Sequence, residues 1–181
     1  EGVLLLKFWF HLSKEQQKKR LKALEKDPKT RWRVTKNDWE LYKLYDRFNK
    51  VCEPFLRKTS TGEAPWLVVP CADPRHRSLT VGKTLLAALR ERRDEKPGKR
   101  LPDKNPPLLP SIDKLNVLRA LQLDQVMSKQ EYDKQLEKWQ GRLNVLARHP
   151  RFKDMSVVAV FEGNDAAGKG GAIRRVTGAL D

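Results

Sequence analysis

Sulfur and imidazole are scarce in this chain. Cys52 and Cys71 are the only cysteines in 181 residues, and His11, His76 and His149 lie far apart. The two cysteines have neither metal-ligand spacing nor the pattern of a secreted disulfide framework. They are expected to be reduced thiols in a cytoplasmic protein. The three histidines form no cluster suited to a metal. Long apolar runs are missing as well. The segment Val3-Leu4-Leu5-Leu6-Lys7-Phe8-Trp9-Phe10 is interrupted by a lysine and falls far short of the ~20 residues of a membrane span. No small-residue cleavage site follows it, which argues against a signal peptide and a membrane location. Acidic residues are the other shortage: 23 Asp and Glu face 38 Lys and Arg, for a net charge of +15. Such a surface attracts polyanions, whether nucleic acid, anionic membrane or a phosphate polymer. Charge alone does not choose among them.

What is present is sharpest in the last quarter. Ser156-Val157-Val158-Ala159-Val160-Phe161 reads as a short buried strand. It runs into Glu162-Gly163-Asn164-Asp165-Ala166-Ala167-Gly168-Lys169-Gly170-Gly171, and residues 172–180 read as a helix. Strand, glycine-rich loop and helix in that order are what a phosphate-binding loop requires. The spacing from Gly163 to Gly168-Lys169 is that of G-x-x-x-x-G-K-[ST]. Glycines let successive N–H groups turn inward to form an anion-binding nest, and the helix adds its positive end. Lys169 supplies a mobile point charge for phosphate. The Ser/Thr that ordinarily ligates Mg²⁺ is replaced by Gly170, while Asp165 places a carboxylate inside the loop. A hard cation wants oxygen ligands, so Asp165 is the expected contact for Mg²⁺. A second G-K-T, at Gly82-Lys83-Thr84, has Arg77 where the first glycine belongs and no strand before it. It is expected to lie inside a helix over about residues 75–92.

The rest of the chain reads as alternating strands and helices. Val3 to His11 is an expected strand. Ser13 with Gln16, and Thr35 with Asp38, form capping boxes that open two helices. Trp39, Tyr42, Tyr45, Phe48, Val51 and Phe55 follow at three- and four-residue steps, which predicts a buried helical face, with Pro54 as a possible kink. Residues 65–70 form a short strand, and the loop 71–75 lies at its C-terminal end, where open α/β sheets bind ligands. Residues 94–112 carry five prolines and read as a linker. An amphipathic helix over about residues 129–148 then leads to the phosphate-loop strand. The elements that ordinarily end a phosphate-loop domain therefore come first, and the elements that open one come last. The expected organisation is two cut tandem domains: 1–93 the C-terminal part of one, 94–112 a linker, and 113–181 the N-terminal part of the next.

These residues resemble the polyphosphate kinase type 2 family. The loop Phe161 to Gly171, with its internal Asp165 and its glycine after Lys169, is the most specific part of the resemblance. In the first half, Leu6-Lys7-Phe8-Trp9, Ser13-Lys14-Glu15 with Gln17 and Arg20, then Trp32, Asp38, Thr59-Ser60-Thr61 and Ala64-Pro65-Trp66 resemble the family's later portion in the right order. The loop Asp73-Pro74-Arg75 departs from the family, which is expected to carry a lysine near Pro74. The resemblance implies an α/β, P-loop kinase-like fold: a three-layer parallel sheet with helices on both faces. It implies phosphoryl transfer between inorganic polyphosphate and a nucleotide, most readily AMP to ADP, with Mg²⁺ as cofactor. Asp165 and Lys169 are the expected catalytic residues. Gly163, Asn164, Ala166, Ala167, Gly168, Gly170 and Gly171 are expected to cradle phosphate, and Arg174 and Arg175 to contact the polymer from the helix. The expected assembly is a homo-oligomer. The chain alone, with a single loop and no lid, is expected to be inactive. Two other functions fit parts of the sequence: an ATP-dependent P-loop kinase or NTPase that ignores polyphosphate, and a non-enzymatic binder of nucleic acid or another polyanion.

Overall fold

A computed structural model of the chain describes residues 3–94, 118, 121–152 and 155–180. The predicted linker therefore falls, beyond Asp94, outside the described residues. Three strands form one sheet: β1 (Val3–His11), β2 (Trp66–Pro70) and β3 (Ser156–Gly163). Their order is β2-β1-β3 and every pairing is parallel, with Phe8 opposite Leu67 on one side and Phe161 on the other. Segments expected to lie in successive domains thus contribute to a single sheet.

Strand β1 is central, and its last four side chains, Phe8 to His11, are buried on both faces. Phe8 and Phe10 point to one side, where Val81, Leu85, Leu86 and Leu89 of α4 (Pro74–Asp94) and Leu143 and Leu146 of α5 (Lys129–Ala147) pack. Trp9 points the other way, onto Cys52 and Leu56 of α3 (Tyr45–Thr59), with Leu118. Alternation along an extended chain produces this division directly, and the result is a layer of helices on each face of the sheet. Phe161 of β3 stacks on Phe8 with ring centroids 5.1 Å apart, joining the phosphate-loop strand to the core.

The capping boxes are formed as read. Ser13 and Gln16 open α1 (Lys14–Lys26), and Thr35 and Asp38 open α2 (Lys36–Lys43). Gly82-Lys83-Thr84 lies inside α4, as expected. The aromatic stripe requires correction. The helix breaks at Leu44, and the buried face of α3 is Tyr45, Cys52 and Leu56, whereas Phe48, Val51 and Phe55 are exposed. The break separates Trp39 and Tyr42 from the later positions, so the six residues no longer share one side. Phe48 and Phe55 still touch the core by one face, against Trp9 and Trp66.

Candidate active site

The loop after β3 is shaped by two positive-φ glycines. Gly163 has φ +134°, and a Cβ there would lie 2.0 Å from the carbonyl oxygen of Phe10. Only glycine lets β3 press against β1 while the chain turns away. Gly168 has φ +88° and ends the loop at the first turn of α6 (Lys169–Thr177). Between them Ala166 is also left-handed, with φ +56°, a conformation costing roughly 1–2 kcal/mol for a residue with a Cβ. The turn is therefore held by its surroundings.

Those surroundings come from the other half of the chain. The Asn164 N–H donates to Phe10 O at 2.8 Å, and Leu12 N–H donates to Asn164 Oδ1 at 3.1 Å. Asn164 is buried. Its side-chain oxygen and its N–H are thus both engaged with the end of β1 and Leu12 rather than left open in the loop mouth. From below, Arg77 of α4 donates through Nη1 to Ala167 O at 2.8 Å. Arg77 is 3 % exposed, and its Nε has no partner. Burial, with help from the neighbouring Arg20 and Arg175 charges, lowers its pKa to about 10, so it remains a cation at neutral pH. Arg20 donates to Cys71 O at 3.3 Å, and burial lowers its pKa too.

The mouth of the loop carries N–H donors left open. The N–H groups of Gly168, Lys169 and Gly170 have no acceptor among the described residues, and they stand at the positive end of α6. The Lys169 ammonium reaches back over the loop and donates to Gly163 O at 2.9 Å and Asn164 O at 3.1 Å. Ala166 N–H is turned inward on Asp165 Oδ1 at 2.9 Å. Arg174 is exposed. Arg175 instead ties α6 down, donating to the Tyr132 hydroxyl of α5 and to Gly171 O at 2.8 Å.

Asp165 has a neighbour that the sequence did not single out for this place. The Asp38 carboxyl, at the start of α2, faces it within hydrogen-bonding reach. Burial first, and Asp38 second, raise the Asp165 pKa; the Thr35 hydroxyl and backbone N–H hold Asp38 below its usual value. Two carboxylates side by side favour one shared proton or a cation between them. Among the described residues no group of three or more His, Cys, Asp or Glu side chains could hold a metal. The thiols take no part in this chemistry, because burial pushes Cys52 up to about 11 and Cys71 up to about 12.

His11 closes the buried side of the site. It is 3 % exposed, hydrogen-bonds Asn164, and leaves Nδ1 without a partner. Burial lowers its pKa to about 4, against the opposing effect of Asn164. The folded state therefore binds this proton less readily than the unfolded state. Stability contributed by neutral His11 is intact above about pH 6.5 and is lost as pH falls towards about 4, by a total of roughly 3 kcal/mol. His11→Gln should flatten this limb. Urea midpoints of the two proteins at about pH 4.5 and 7.5 check it; parallel losses in both would show that His11 does not carry the acid sensitivity.

Of the residues expected to bind phosphate, Gly168, Lys169 and Gly170 keep N–H groups without an acceptor among the described residues, Asn164 and Ala166 are engaged elsewhere, and Arg174 is exposed on α6. Sequence reasoning missed Arg77, although a signal existed. Arg77, Val81 and Leu85 follow one another at four-residue steps, so an arginine sits on the buried stripe of α4.

The geometry is that of a glycine-rich loop between a strand and a helix, at the C-terminal end of a parallel sheet. The profile of the family described as Polyphosphate kinase 2 (PPK2) matches residues 1–97 and 126–181, and the chain belongs to that family. It is 52% identical over 181 residues to the polyphosphate:AMP phosphotransferase of Pseudomonas aeruginosa, covering 100% of this chain and 36% of that protein. It is 46% identical over 185 residues to the enzyme of the same name from Pseudomonas syringae pv. tomato, again covering 100% of this chain and 36% of the relative. An AMP/ADP-polyphosphate phosphotransferase from Meiothermus ruber is 37% identical over 89 residues, covering 49% of this chain and 33% of that enzyme. The chain thus spans about a third of the length of the curated relatives it matches.

Proposed function

We propose that this chain is part of a phosphotransferase that moves a phosphoryl group between inorganic polyphosphate and a nucleotide, with AMP to ADP the favoured reaction. The observation that carries this reading is the loop itself: three N–H groups without an acceptor among the described residues, an overhanging Lys169 and an internal Asp165, in a member of this family. On this reading residues 1–93 would be the late part of one unit and residues 113–181 the opening of the next in a longer protein. Reduced, buried thiols suit a cytoplasmic location. Among the described residues, no helix is long and apolar enough to cross a membrane. A homo-oligomeric assembly belongs to the same reading.

The chemistry asks mainly for positioning and neutralisation of charge. Gly168, Lys169 and Gly170 would hold phosphate oxygens through their backbone N–H groups. The Lys169 ammonium would move from carbonyl oxygens to the transferred group. Arg174 would meet the polymer at the rim. The donor set fits Mg²⁺: two facing carboxylates, Asp165 and Asp38, leave coordination positions for phosphate oxygens. Bound there, the ion would neutralise phosphate charge, and Asp165 would hold it at the loop.

The test is ADP formation from AMP by the full-length protein with Mg²⁺, supplied with polyphosphate or ATP as sole donor. Product from polyphosphate alone is expected. Turnover with ATP only would keep the phosphate loop and discard the polymer as donor. Retention on nucleic acid with no turnover from either donor would replace the enzyme with a binder.

A further inference from the structure

We propose that Trp32 is the platform on which the acceptor nucleotide's base stacks; the proposal rests on the nucleotide reading above. Trp32 is the most solvent-exposed of the five tryptophans, 71 % exposed, whereas Trp9 is buried and Trp39, Trp66 and Trp139 are half-buried. Its indole is nonetheless held in one orientation. The indole N–H donates to Lys29 O at 3.0 Å, and the Arg33 guanidinium lies over the ring, 5.1 Å from its centroid. The 3₁₀ turn that carries it, Arg31–Arg33, is tied to the end of α1. Thr30 N–H and Arg31 N–H donate to Asp27 O, and the Thr30 hydroxyl donates to Leu24 O at 2.8 Å. An exposed aromatic face held this firmly gives nothing to the core. It is suited to stacking, because little side-chain freedom remains to be lost.

The surrounding charge says what kind of ring it takes. Lys29, Arg31, Arg33 and Lys36 flank Trp32, and residues 28–37 contain no acid. None of the four enters an ion pair among the described residues. A neutral ring or an apolar peptide would gain nothing from four unpaired cations, whereas a phosphorylated nucleoside has both the flat ring and the negative charge. A bare phosphate polymer lacks the ring. A short stretch of chain also links the turn to the loop. Six residues on, Asp38 faces Asp165, so the turn is within ~20 Å of the loop carboxylate along the chain.

Stacking of a base on an aromatic side chain is sequence-tolerant and is lost on truncation to alanine. AMP, ribose 5-phosphate and polyphosphate would be titrated separately into the full-length protein, its Trp32→Ala variant and its Trp32→Phe variant. Trp32→Ala should weaken AMP about tenfold and leave ribose 5-phosphate and polyphosphate unchanged, while Trp32→Phe should keep most of the AMP affinity. Equal AMP affinity in wild type and Trp32→Ala would overturn the platform. So would equal weakening of all three ligands, which would mark Trp32 as structural. A change of oligomeric state with AMP affinity preserved would make Trp32 a contact between copies, and would also overturn it. If the wild-type protein binds neither AMP nor polyphosphate, the proposed function itself fails, an outcome separate from the other three.

Discussion

Lys169→Ala in the full-length protein is expected to lower polyphosphate-dependent ADP formation by about 10²–10³-fold, the cost of removing one preorganised charge from a developing transition state. The lysine is the first residue of α6, and its ammonium already spans the loop mouth, held by Gly163 O and Asn164 O. Those two carbonyls are weak competitors for a phosphate, so the charge can transfer to substrate without rearrangement of the backbone. The loss should fall mainly on kcat, since the loop N–H groups and the helix end still bind ground-state phosphate. Lys169→Arg should not restore activity, because a planar fork does not fit where a point charge sits. Steady-state kinetics with polyphosphate as the donor measure this. A variant with near-normal kcat would remove Lys169 from the mechanism.

Gly163→Ala should have the largest effect on stability, a loss of about 3–5 kcal/mol. The new methyl carbon would fall 2.0 Å from Phe10 O and 2.4 Å from Phe10 N, both backbone atoms of the central strand. Neither can swing aside. The residue would also have to hold φ +134°. Gly170→Ala is the matched control: nothing lies within 4 Å of its Cβ position, and alanine in α6 should add up to about 1 kcal/mol. Urea denaturation compares the two. Equal midpoints for Gly163→Ala and the parent would mean that β3 does not press on β1 as described.

Local features were the most legible in the sequence. Ser13/Gln16 and Thr35/Asp38 are three residues apart, and the capping box is closed within one turn, so sequence spacing is the whole of its geometry. The same holds for the glycine-rich loop, where glycines, lysine and helix start lie in one ten-residue stretch. The aromatic stripe misled because periodicity assumes one unbroken helix. The break at Leu44 lets Cys52 and Leu56 reach the core in place of Val51 and Phe55. Asn164 reads as a loop donor because it stands in a glycine-rich stretch that ends in a lysine. Its commitment to Phe10 and Leu12 depends on a strand more than 150 residues away in the chain.

By itself the amino-acid sequence determined that a strand, a glycine-rich turn and a helix follow one another at residues 156–180, and that the chain carries a large positive charge. Those properties reside in neighbouring residues and in composition. Only the tertiary structure decided what holds the turn and what faces it. The Arg77 guanidinium under Ala167, the Asn164 clamp on β1, buried neutral His11 and the Asp38 carboxyl opposite Asp165 all come from, or bind to, the first half of the chain. The physical reason is that a phosphate loop has almost no core of its own. Its glycines permit the conformation, and the packed sheet and helices around it select that conformation.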